Sequence, residues 1–138
     1  MKQLLLILSI GLLTVGSAIS QNRYSEDEVN TTGEYPNDTT FLKSDMTPLN
    51  GIVYGEFGDM GEYVDGERDG LHKQWHENGQ LEWEGNWEDG EPDGLERRWY
   101  GNGQLKWESN DKEGKKDGLS RWWYDNGQLE IEANYKNG

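Results

Sequence analysis

From Gly70 onward the apolar and polar positions recur in a fixed order. Three segments, GLHKQWHENGQLEWEGNWEDGEPD from Gly70, GLERRWYGNGQLKWESNDKEGKKD from Gly94 and GLSRWWYDNGQLEIEANYKNG from Gly118, align without gaps at one constant offset. Each opens on Gly-Leu (Gly70, Gly94, Gly118), carries an aromatic at Trp75, Trp99 or Trp123, and continues into Asn-Gly-Gln-Leu. That motif places Gly79, Gly103 and Gly127 in a turn and Leu81, Leu105 and Leu129 just after it. Short runs of strand character on both sides of an Asn-Gly turn predict a β-hairpin. Three hairpins at one period, about 24 residues, predict a repeat array, which buries its apolar residues by stacking neighbour on neighbour. A shorter relative, Gly51 to Gly66, precedes them and lacks the Asn-Gly turn.

The register follows from which residues must share a face. A two-residue turn at Asn78-Gly79 would set Trp75 and Leu81 on opposite faces. A three-residue loop, Glu77-Asn78-Gly79 with Gly79 in the left-handed conformation, pairs Trp75 with Leu81. Continued without a break, this register puts Lys73, Arg97 and Arg121 opposite Trp83, Trp107 and Ile131. It gathers Leu71, Trp75, Leu81, Trp83 and Trp87 on one face. A lone hairpin is marginal in water, so the hairpins are expected to add edge to edge. The fold class is therefore all-β, an elongated antiparallel sheet of tandem β-hairpin repeats.

The pattern G-L-x-x-x-W-x-x-N-G-Q-L-x-x-E, followed by an aromatic and a Gly-rich connection, resembles the MORN-type repeat in its bacterial variant, as found in the YwqK family of antitoxins. The likeness spans about residues 47 to 138. It implies a scaffold of hairpins, and the antitoxin association implies a neutralising partner for one dedicated protein. One position departs from the pattern: the aromatic present at Tyr63, Trp87 and Tyr135 is Asp111 in the middle copy. The seam there is expected to be the least well packed.

Ahead of the repeats, residues 1–20 read as an export signal. Lys2 precedes an apolar run from Leu4 to Val15, and Ala18-Ile19-Ser20 forms a small-x-small cleavage site. The run is too short to span a bilayer. Residues 21–46 show neither helical nor strand periodicity and read as an acidic, disordered tether. The repeat domain then occupies 47–138. The sequence ends where a further repeat would begin, so the last hairpin is expected either to offer an edge strand to a partner or to a second copy, or to be followed by further sequence.

Composition modifies this picture in one respect. Beyond the export segment, Leu, Ile, Val and Phe together make up only about 13% of the residues, a level usual for disordered chains. The seven Trp and seven Tyr compensate, because an indole buries far more surface than an aliphatic group. With 27 Asp and Glu against 13 Lys and Arg, the net charge of -14 argues against nucleic acid and against an anionic membrane surface. The absence of cysteine excludes disulfides, thiolate metal sites and thiol nucleophiles.

Candidate chemistry is sparse. His72 and His76 have a spacing that chelates zinc on a helix, but on a strand four residues span about 13 Å. Glu84, Glu108 and Glu132 recur at the repeat period as an acidic ladder, read here as a solvated outer face in preference to a calcium site or a carboxylate pair. Trp122 is placed by the uninterrupted register on the polar face, beside Tyr100 and Tyr124 near the turn tips. These three are the best candidate contact residues, for a sugar ring or a partner protein. No cofactor, metal or catalytic constellation is expected. The chain is thus expected to be an exported, non-enzymatic scaffold for protein interaction, with an antitoxin-like or immunity-like neutraliser and a glycan-binding module as the alternatives.

Overall fold

A computed structural model of the chain describes residues 22–33 and 38–138. Residues 1–20, read above as an export signal, lie outside them. In chain order the strands are β1 (Arg23–Ser25), β2 (Val29–Thr32), β3 (Thr39–Leu42), β4 (Gly51–Gly55), β5 (Gly58–Val64), β6 (Glu67–Trp75) and β7 (Leu81–Glu88). They continue with β8 (Glu91–Pro92), β9 (Gly94–Trp99), β10 (Leu105–Lys112), β11 (Lys115–Lys116), β12 (Gly118–Trp123) and β13 (Leu129–Tyr135). The main sheet runs β1-β4-β5-β6-β7-β9-β10-β12-β13, with the two-residue strands β8 and β11 folding back on β7 and β10. All pairings in it are antiparallel except β1 against β4. This is the all-β array of tandem hairpins that the repeat predicts.

The segment expected to be a disordered tether is instead built into the fold across its described residues. β1 joins the outer edge of β4, where the Ile52 N–H donates to the Asn22 carbonyl at 2.8 Å. Gly51 permits that approach, since a Cβ there would stand 2.4 Å from the Asn22 oxygen. β2 and β3 form a separate antiparallel pair. It is docked by backbone bonds from Thr40 to the Gly66 carbonyl, from Leu49 to the Thr40 carbonyl and from Gly66 to the Leu49 carbonyl, at 2.8 to 2.9 Å. Arg68 clamps Asp38 through two nitrogens at 2.9 and 3.0 Å. Composition misled because Thr31, Thr32, Thr39 and Thr40 supply strand character without hydrophobicity. Leu49 and Thr40 then disappear almost completely from solvent.

Each repeat hairpin turns through the three-residue loop. The Gly79 N–H donates to the His76 carbonyl at 2.9 Å and the His76 N–H to the Gln80 carbonyl at 2.8 Å, with equivalent bonds in the next two copies. Gly79, Gly103 and Gly127 hold φ of 78°, 82° and 81°. This is the left-handed region, where a Cβ is penalised. Trp75, Trp99 and Trp123 stand opposite Leu81, Leu105 and Leu129 as expected.

The register then slips. A bulge follows each of these pairs, so Gln74 stands opposite Trp83, Arg98 opposite Trp107 and Trp122 opposite Ile131. Lys73, Arg97 and Arg121 therefore face Glu84, Glu108 and Glu132 and not Trp83, Trp107 and Ile131. One extra residue on the second strand, Glu82, Lys106 or Glu130, moves every later side chain to the other face. The single Leu-and-Trp face of the uninterrupted register does not form. Trp83 and Trp87 share a face with His72, while Leu71 and Trp75 lie on the other.

The two faces differ in character. One is aromatic: Tyr63 meets His72 edge-on at 5.0 Å, His72 meets Trp87 at 5.5 Å and Trp87 meets Trp83 at 5.1 Å. The Trp83 and Trp87 rings close over Gly85, where a Cβ would sit 2.8 Å from Trp87. The other face carries a charge ladder from strand to strand. Arg97 lies 3.4 Å from Glu84 and 3.7 Å from Glu108, and Arg121 lies 3.2 Å from Glu108 and 2.8 Å from Glu132. Such half-exposed pairs contribute a few tenths of a kcal/mol each and are screened by salt. Reversing the shared carboxylate with Glu108→Lys sets three cations in a row. The change is expected to cost about 1 to 2 kcal/mol of unfolding free energy in urea titrations at low salt. The deficit should shrink as NaCl is added.

Candidate functional site

The aromatic face is continuous except around Asp111. In the first repeat Trp87, only 3% exposed, packs against Trp83, His72 and Arg68. In the last, Tyr135 occupies the same repeat position. Asp111 is too short to fill it, and an open groove of about 540 Å³ lies there, lined by Pro92, Glu96, Arg98, Lys106, Trp107, Asp111, Gly114, Lys116 and Trp122. The poorly packed seam predicted at this position is therefore present as a cavity.

Trp107 and Trp122, directly paired across β10 and β12, contribute the aromatic wall, with ring centres 6.4 Å apart and planes inclined by 39°. Lys116, from the short strand β11, lies 4.2 Å above the Trp107 ring. It also reaches the Ser109 hydroxyl at 3.4 Å, which in turn lies 3.3 Å from Asp111 Oδ2. Glu96 Oε1 accepts a 2.6 Å hydrogen bond from the Trp83 indole N–H. Burial pushes the carboxyls of both Glu96 and Asp111 above the usual range, and the nearby Lys116 charge partly opposes this. The groove thus combines an aromatic wall, two partly desolvated carboxylates and three cations.

The hydrogen bond between Trp83 and Glu96 identifies an unfilled counterpart one repeat on. The equivalent residues are Trp107 and Ser120. Both the Trp107 indole nitrogen and the Ser120 hydroxyl are buried without a hydrogen-bond partner among the described residues. The serine is too short to span the gap that Glu96 spans. Ser120→Gln supplies the missing reach without a buried charge. It is expected to raise stability by about 1 kcal/mol, read as a higher urea midpoint at unchanged slope.

Of the three contact candidates read from the sequence, Trp122 does not lie on the polar face. The bulge carries it to the aromatic face, against Trp107. Tyr100 is a link between repeats: its hydroxyl donates to the Trp123 carbonyl at 2.8 Å, as His76 Nε2 lies 3.0 Å from the Trp99 carbonyl. Asn78 and Asn102 make the same kind of link, to the carbonyls of Gly101 and Asp125 at 2.9 Å. Tyr124 is 48% exposed at its turn. His72 and His76 are not brought together. His72 is buried, and its Nε2–H donates to the Glu62 carbonyl at 2.7 Å. Glu84, Glu108 and Glu132 are paired to arginines. Among the described residues no group of His, Asp or Glu is arranged to hold a metal ion, and no helix is long and apolar enough to cross a membrane.

Sequence reasoning did not single out Glu96, Arg98 and Lys116 as groove residues. Asp111 itself was visible as a break in the repeat, but which side chains surround it depends on the bulge.

Compared with known families, residues 68–89, 92–115 and 116–137 each match the MORN repeat variant. The matches coincide with the three hairpins and begin after the degenerate copy. No curated protein and no solved structure gives a significant match. MORN repeats are commonly non-enzymatic modules for interaction with proteins or membranes.

Proposed function

We propose that these three MORN-variant repeats form an exported, non-enzymatic scaffold that docks a protein partner. The supporting observation is the single layer of the sheet. Among the described residues only Leu49, Val53 and Trp87 are buried hydrophobics, and no second layer covers either face of the three repeats. Large apolar groups consequently remain at the surface, among them Tyr124, Leu129 and Ile131 of the last hairpin, 48 to 52% exposed, with Leu129 and Ile131 on opposite faces of its edge strand. Exposed aromatic and aliphatic groups among polar neighbours are the usual makings of an interface core.

A dedicated neutralising partner is a special case of this reading. It is favoured by the acidic side of the sheet, where Glu88, Asp89, Glu91, Asp93 and Glu113 come together and would steer a basic protein.

Two measurements test the proposal. Protein recovered outside the cytoplasm should begin at Gln21, whereas an uncleaved cytoplasmic chain contradicts export. The tagged mature chain, captured from host envelope extracts, should retain one or a few proteins in fixed stoichiometry and lose them in the double variant Leu129→Ser, Ile131→Ser. Capture unaffected by that variant contradicts docking through the last hairpin.

A further inference from the structure

We propose that the groove around Asp111 binds the ring of a neutral carbohydrate. This inference is independent of the protein-scaffold reading, although the groove wall Trp122 is the cross-strand partner of Ile131 on the last hairpin. The groove exists because a carboxylate replaces the ring found at Trp87 and Tyr135, which leaves Trp122, and Trp107 beneath the Lys116 ammonium, without the flat neighbour present elsewhere on the aromatic face. Its volume, about 540 Å³, falls in the range of small-ligand sites. The vacancy calls for a body with a flat apolar side, such as the C–H face of a pyranose.

The polar lining narrows the choice. Carboxylate acceptors (Glu96, Asp111) and cationic donors (Arg98, Lys106, Lys116) line one opening. A bare anion is set beside two carboxyls and a bare cation beside three like charges. A hydroxyl donates and accepts at once, so it is served by both kinds of group. Arg98 is exposed and makes no hydrogen bond or ion pair within the described residues, so its planar donor fork is free for a pair of vicinal hydroxyls. The open, one-sided site predicts modest affinity, with Kd on the order of 0.1 to 1 mM.

The test titrates the full mature chain with chitotriose, cellotriose and maltotriose, following tryptophan fluorescence and saturation-transfer NMR. A trimer of glucosamine and a trimer of galacturonate serve as charged comparisons. At least one neutral trisaccharide should bind saturably, and at least tenfold more tightly than either charged trimer. Asp111→Tyr refills the groove and should weaken that binding at least tenfold without lowering the melting temperature. Arg98→Ala, at an exposed side chain, should weaken it at least threefold with unchanged melting, while Leu71→Ser on the opposite face leaves it intact. The proposal is overturned if none of the three neutral sugars binds saturably, if a charged trimer binds best, or if Asp111→Tyr binds as well as the parent chain.

Discussion

Lowering the pH from 7 to 4 should remove about 3 kcal/mol of stability through His72 alone. Burial among Tyr63, Trp87 and the Gly61 backbone holds this imidazole neutral and lowers its pKa from 6.5 to about 4, with the Arg68 charge acting in the same direction. Between those two values the unfolded chain binds the proton and the folded chain does not. Stability therefore falls as pH drops through the window from 6.5 to 4 and levels off below it, at about 1.4 kcal/mol for each pH unit crossed. Glu96 and Asp111, with raised carboxyl pKa values, act in the opposite sense and are stabilised by protonation. The His72 contribution is isolated by His72→Gln, which keeps a donor for the Glu62 carbonyl but does not titrate. Urea midpoints of the two proteins should converge as pH falls from 7 to 4. Parallel curves would show that the folded chain accommodates the protonated ring.

The second large effect is the loss of the ring at Trp87. It is the best-buried indole, touching Trp83 and His72 and lying 5.4 Å beneath the Arg68 guanidinium. Trp87→Ala should destabilise the chain by about 3 to 5 kcal/mol, because the flanking rings are held by their own strands and cannot collapse into the space. Thermal or urea unfolding measures it directly. The same repeat position one copy on responds in the opposite direction. Asp111→Tyr removes a carboxyl that burial disfavours and covers Trp107, and should raise stability by about 1 kcal/mol. If both substitutions shift the melting temperature equally, position in the repeat does not determine packing in the way described.

These effects also show what could be read from the residues alone. The hairpin loop was legible because its chemistry is local: Asn-Gly with a left-handed glycine admits few conformations. The groove was legible as a place, since Asp111 interrupts an otherwise repeated aromatic. The bulge was not legible. Its extra residue is Glu82, Lys106 or Glu130, an ordinary polar residue with no turn signature. What favours the slip is non-local, namely the pairing of Lys73, Arg97 and Arg121 with Glu84, Glu108 and Glu132 and the closure of two indoles over Gly85. Because strand side chains alternate, that one residue transferred Trp122 to the aromatic face and made it a groove wall. The segment before the repeats was misread for another reason, since threonine-rich strands bury backbone hydrogen bonds more than apolar area.

The composition of both faces and the surroundings of Asp111 all follow from the bulge. The chain contains no cysteine, so a paired substitution reports on it without interference. In the double variant Lys73→Cys, Glu84→Cys, the bulged register places the two Cβ atoms on the same face of neighbouring strands, about 5 Å apart and within reach of a disulfide. Mild oxidation of the folded protein should cross-link it almost completely, whereas the unbulged register turns position 84 to the other face and leaves both thiols free.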